Sequence, residues 1–282
     1  MDLAIPQSFE GLPLHRAKAE AAARAASDNP DVVAMAVAGS FAAGIADELS
    51  DVDLRLYVPD HAVERTVDAI SALASRCGRV VALFTGEHVG IPTLTIVLYD
   101  DLVHVDFDVL SSTDVGEHNQ GLPVVVLWER DGLSASLPGT YRPDIGTELR
   151  WMEARMWTWS WYIQTKIIRG ELYEALDGLQ YVRNQVLFHL VAFERRVRPA
   201  GARRIESALG RLSAAFATTV PARLDAGALV DALRAEIAIY RELTDRLFPR
   251  HGVAAHSDSR AVAQKALDLG LEWRPDGAPS RP

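Results

Sequence analysis

The sequence predicts an α+β protein, with a mixed β-sheet and flanking helices in the N-terminal half followed by a C-terminal α-helical bundle. Three observations lead there. Between residues 32 and 132 the chain carries a series of short apolar or alternating runs of strand length, divided by turn residues. From about residue 146 the apolar positions recur with helical spacing almost to the end. The charge also changes, with 21 acidic and 8 basic side chains in residues 1–140 against 17 and 21 in residues 141–282. A length of 282 residues suits two domains. They are placed at 1–140 and 141–282, with Pro138-Gly139 at the join.

Taken in order, alanine-rich residues 14–27 read as a helix, stopped by Asp28-Asn29-Pro30. Residues 32–38 (VVAMAVA) form a continuous apolar run that suits a buried strand. Gly39-Ser40 and a short helix or turn follow. Asp51 to Val58 (DVDLRLYV) alternates and reads as a second strand. Residues 61–76 are helical, with Val63, Val67, Ile70, Leu73 and Ala74 on one face. Three strand-like runs follow, at 80–85, 92–99 and 102–110. Asp100-Asp101 joins the last two as an antiparallel hairpin, and 121–132 adds one more strand. The expected helices of the second domain are 146–169, 171–195, 202–217, 226–247 and 258–270, before a disordered tail at 274–282.

Composition excludes several classes. No run approaches the roughly 18 apolar residues of a membrane span, and the N-terminus lacks the basic, then apolar, pattern of a secretory signal. One cysteine, Cys77, allows no internal disulfide and reads as a core residue, so a cytoplasmic location is expected. A net charge of −9, concentrated in the first half, argues against duplex nucleic acid as a partner.

The stretch VAMAVAGSFAAGIADELSDVDLRLYV carries the chemistry. Gly39 lets the backbone approach a ligand closely. Ser40 opens a helical turn, where backbone N–H groups and the hydroxyl can bind phosphate. On a strand, Asp51 and Asp53 point to one face, about 6.6 Å apart, a hard-oxygen pair suited to Mg²⁺. In LVHVDFDVL, His104, Asp106 and Asp108 share one face, and Val103, Val105, Phe107 and Val109 the other. If this strand neighbours 51–58, Asp106 or Asp108 supplies a third carboxylate for a two-ion site. His104 and His189 have no second histidine or cysteine at ligand spacing and are not expected to bind metal.

Gly39-Ser40, ten intervening residues, Asp51-Val-Asp53 and the later His-Val-Asp-Phe resemble the signature of the DNA polymerase β-like nucleotidyltransferase superfamily. The C-terminal stretch WYIQTKIIRGELYEALDGLQYVRNQVL resembles the helical domain of its small-molecule branch, which includes aminoglycoside and lincosamide adenylyltransferases. The resemblance implies nucleotidyl transfer from an NTP, ATP foremost, to a hydroxyl of a small molecule such as an aminoglycoside-like antibiotic. It implies that Gly39-Ser40 binds the triphosphate, that Asp51 and Asp53 bind Mg²⁺, and that Asp106 is the third ligand. The base that deprotonates the acceptor is then Asp106, Asp108 or Glu87. Lys166 is implied as a phosphate contact, with Arg169 and Arg183 behind it, although Arg183 can instead pair with Glu171 or Asp177 on its own helix. Trp157 and Trp161 share a helix face and line either core or an inter-domain contact, or else a nucleobase or substrate pocket. Modification of a protein or RNA, and nucleotide binding without catalysis, are the competing functions. The bundle surface leaves a homodimer open.

Overall fold

The computed structural model describes residues 3–113, 122–130, 132–133 and 143–272. Pro138-Gly139 and the 274–282 tail lie outside the described residues. The chain divides into two compact units, Met1–Tyr141 and Arg142–Pro282.

In the first unit six strands form one sheet: β1 (Ala34–Ala38), β2 (Val52–Val58), β3 (Val80–Gly86), β4 (Ile91–Tyr99), β5 (His104–Ser111) and β6 (Val124–Glu129). Their order is β3-β4-β5-β2-β1-β6. β2 and β5 run parallel and every other neighbouring pair is antiparallel, so the sheet is mixed. A parallel pair needs a long crossover. Here the crossover holds helix α3 (Val63–Ser75) and the hairpin of β3 and β4.

Alternation divides the sheet into two faces. Val52, Leu54, Leu56, Val105, Phe107 and Val109 are fully buried on one of them. They pack against helix α1 (Pro13–Ser27) through Ala19, Ala22 and Ala23, whose small side chains let the helix lie close, and against Ile70 and Ala74 of α3. Each large apolar side chain buried there contributes about 1.5–3 kcal/mol. The opposite face carries Asp53, Arg55, His104, Asp106 and Asp108, all half-buried. The hairpin expected at Asp100-Asp101 is present, with Leu102 at φ 65° and its N–H donating to Tyr99 O at 3.0 Å. Lys18 of α1 pins this turn. It is buried, 2.8 Å from Asp101 Oδ2, with its ammonium 4.1 Å from the centroid of the Tyr99 ring.

The second unit is helical. Its two longest helices, Ile145–Arg169 and Ala226–His251, start on Asp144 and Asp225, whose side chains accept from Thr147 and Ala228 backbone N–H groups. Both end on a glycine in the left-handed region, Gly170 and Gly252. Met156, Leu179, Leu187, Leu233, Tyr240 and Leu243 lie in the core between them. Two buried polar residues of the first helix tie down the last one, Ser257–Leu269. Glu153 accepts from His256 N–H at 2.7 Å at its start, and from Trp157 Nε1 at 3.0 Å and the Tyr240 hydroxyl. Gln164 Nε2 donates to Ala266 O at 2.7 Å and Gly270 O at 2.9 Å at its end. Glu153 and Gln164 stand three helical turns apart, which puts both on one face.

Three expected helices differ in detail. The helix expected at 171–195 is interrupted by a π turn, Arg183–Leu187, between Leu172–Val182 and Phe188–Arg195. Arg183 consequently points inward. It pairs with Glu236 at 3.3 Å and donates to Thr219 O at 2.6 Å, rather than to Glu171 or Asp177. The stretch expected at 202–217 is two five-residue helices, Ile205–Leu209 and Ser213–Ala217, separated at Gly210, which lies at φ 53°. The helix expected to end at 247 runs on to His251, with Pro249 in its last turn.

Glu236 is fully buried, and its Oε2 has no hydrogen-bond partner among the described residues. Burial, against the opposing pull of Arg183, holds its carboxyl well above the usual 4.5. The folded chain therefore binds this proton more tightly than the unfolded chain, and the acid's contribution to stability is lost as pH rises from 4.5 toward the folded value. Glu236→Gln removes that titration. The urea midpoint of Glu236→Gln, relative to wild type, is expected to climb between pH 4.5 and 8, and a pH-independent difference would contradict this.

Candidate active site

The antiparallel register of β1 and β2 pairs Val37 with Leu54, so the chain leaves β1 beside Asp53. The first residue out is Gly39, at φ 60°. A Cβ there would lie 1.8 Å from Asp53 Oδ2, so only glycine allows the turn and the carboxylate to coexist. Gly39–Ala42 make a single helical turn. It is braced from the N-terminal segment, where Ser8 Oγ donates to Phe41 O at 2.6 Å and Phe9 stacks on Phe41 at 4.0 Å. Ser40 Oγ is buried and finds no hydrogen-bond partner among the described residues.

Asp51 stands one residue before β2, on a turn that Asp47 organises. The Asp47 carboxylate accepts from Leu49 N–H at 3.0 Å and Ser50 Oγ at 3.1 Å. In the parallel register of β2 and β5, Asp53 lies opposite Asp106, and Arg55 opposite Asp108. Asp51, Asp53 and Asp106 each bring a carboxylate oxygen within 4.8 Å of the others. Three such charges repel by on the order of 1–3 kcal/mol per pair, and a bound divalent cation reverses that balance. All three are half-buried, and their hard oxygens fit Mg²⁺. His104 Nε2 stands 2.9 Å from Asp106 Oδ1.

Asp108 points to the same face about 6.6 Å further along β5 and lies outside this group of three. Thr93 Oγ1 donates to its Oδ1 at 3.1 Å. Glu87 is not brought to the group. It is exposed in a turn after β3, two strands from β5, and the Thr85 hydroxyl donating to its carboxylate holds its pKa below the usual range. Lys166, in the second unit, lies 2.8 Å from Glu171 and 2.9 Å from Glu174, which raise its pKa. Trp157 is buried and gives its indole N–H to Glu153. With Trp161, Thr158, Val262 and Ala263 it lines a cavity of about 810 Å³ within the helical unit. Thr93 and the His15 contact with Ser50 O escaped the sequence reading. A threonine in a strand and a histidine in an alanine-rich helix carry no local signature of such roles.

No protein-family model and no curated protein matches the chain. Among solved structures, an aminoglycoside 6-adenyltransferase from Bacillus subtilis aligns at 13% identity and a TM-score of 0.43, covering 86% of this chain and 94% of that one. A nucleotidyltransferase-like protein from Exiguobacterium sibiricum aligns at 11% identity and a TM-score of 0.41, covering 83% and 78%.

Gly39→Ala places a methyl group against the Asp53 carboxylate at a backbone angle that alanine rarely adopts. It is expected to cost about 1–3 kcal/mol of stability, read as a lower urea midpoint. A midpoint equal to wild type would show that the turn relaxes freely.

Proposed function

We propose that this protein transfers a nucleoside monophosphate from an NTP, with ATP the expected donor, to a hydroxyl group of a small molecule. The observation that carries the reading is the meeting of three carboxylates within 4.8 Å beside a buried serine hydroxyl that has no partner among the described residues. An acidic cluster alone occurs on many surfaces. A buried hydroxyl left unsatisfied beside it favours a ligand that completes both.

In this reading Asp51, Asp53 and Asp106 hold Mg²⁺, and Ser40 with the N–H groups of its turn holds phosphate oxygens. The bound cation would neutralise charge on the phosphates and on the three acids. Asp108 is the proposed base. It lies one step beyond Asp106 on the same face, and Thr93 orients it. It takes the proton from the acceptor hydroxyl, whose oxygen then attacks the α-phosphorus. A new P–O bond forms there as the bond to the bridging oxygen breaks, and pyrophosphate leaves with that electron pair. The excess of 21 acidic over 8 basic residues in 1–140 supports a cationic acceptor, such as an aminoglycoside. Glu87 and Lys166, each held by its own neighbours, are given no part.

The test is label transfer from α-labelled ATP with Mg²⁺ across a panel of hydroxylated, cationic small molecules. Asp51→Asn and Asp53→Asn are expected to lower the rate about a thousandfold. Ser40→Ala is expected to cost about tenfold. The proposal fails if wild type labels nothing on the panel, or if the two Asp variants match it.

A further inference from the structure

His15 lies on α1, far from the acids in sequence, yet it is 6% exposed and its Nε2 is 3.1 Å from Ser50 O. A carbonyl oxygen only accepts, so Nε2 carries the proton. In the neutral ring Nδ1 is then a bare acceptor, and it is buried with no partner among the described residues. The ring centroid is 5.7 Å from that of Phe41, which itself stacks on Phe9. As filling for an aromatic gap an imidazole is a poor choice, because a phenylalanine would bury no unmet acceptor. What the imidazole adds is one hydrogen bond, made to the residue before Asp51.

That bond acts on a rigid unit. Ser50 C=O and Asp51 N–H share one planar peptide group, so holding the oxygen fixes the plane from which Asp51 extends. Asp51 itself precedes β2. The hydrogen bonds inside its turn, from Leu49 and Ser50 to Asp47, move with the turn. His15 ties it to a helix buried against the sheet.

We propose that His15 is a positioning residue that sets Asp51 for cation binding, an inference that rests on the metal-holding role proposed above. The N-terminal segment would then support both arms of the site, since Ser8 and Phe9 brace the Gly39–Ala42 turn.

The test is Mn²⁺ binding to the full chain, without nucleotide or acceptor, followed by electron paramagnetic resonance of the free ion alongside thermal unfolding. The variants are Asp53→Asn, His15→Gln, His15→Asn and His15→Phe. A glutamine amide nitrogen can reach the place of Nε2, whereas that of asparagine falls short of it. His15→Asn and His15→Phe are expected to bind Mn²⁺ about tenfold more weakly, with His15→Gln within about threefold of wild type. The Tm of His15→Phe should hold or rise. Should wild type fail to bind Mn²⁺, or Asp53→Asn bind it equally well, the metal reading and this inference fall together. Binding lost in Asp53→Asn but kept in His15→Asn and His15→Phe would overturn the role of His15 alone. So would equal losses of affinity and Tm in all three His15 variants. If His15→Phe does not fold, the glutamine and asparagine pair decides.

Discussion

Asp53 and Asp106 stand directly opposite each other on neighbouring parallel strands, an arrangement that places like charges side by side and costs stability. The sheet holds them there because its two faces are not independent. The register that sets Asp53 against Asp106 also sets Leu54 against Phe107 and Val52 against Val105 in the core. A slip of one residue would turn the aspartates inward and the apolar side chains out. Burial on one face therefore sustains repulsion on the other, and the core cannot form without assembling the acids. Gly39 belongs to the same constraint, since the strand before it must leave the sheet against the Asp53 carboxylate.

The helical unit handles polarity differently. Several of its buried polar groups lie in the interior and reach across to other helices. Glu153 collects donors from its own helix, from Tyr240 and from His256. Arg183 reaches Thr219 and Glu236. Such contacts add little net stability, but each fits one packing of the helices only. They define which helix lies where in a core made otherwise of apolar side chains without directional contacts.

The strands and the acid face were legible because alternation with period two is a property of the chain itself. Gly39, Ser40, Asp51 and Asp53 fall within one local stretch and could be read together. Asp106 and Asp108 could not be told apart, since both obey the same alternation. Only the register with β2, which arises between strands, sets one of them opposite Asp53. The π turn at Arg183–Leu187 was invisible for a related reason, because one extra residue in a helical turn barely disturbs an apolar pattern. The inward path of Arg183 followed from it. Glu87 looked available because it follows a strand, but its place two strands from β5 depends on the order of the sheet.

The Ser257–Leu269 helix begins without a side-chain cap of its own, and a carboxylate from another helix receives the N–H at its start. Gln164 holds its far end. Helices ordinarily fray from their termini, and amide protons there exchange first. This one is fastened at both termini, with a cavity along its length from Asp258 to Ala266. Its ends therefore part from the bundle only when the buried hydrogen bonds of Glu153 and Gln164 come apart, where an ordinary helix end frays alone.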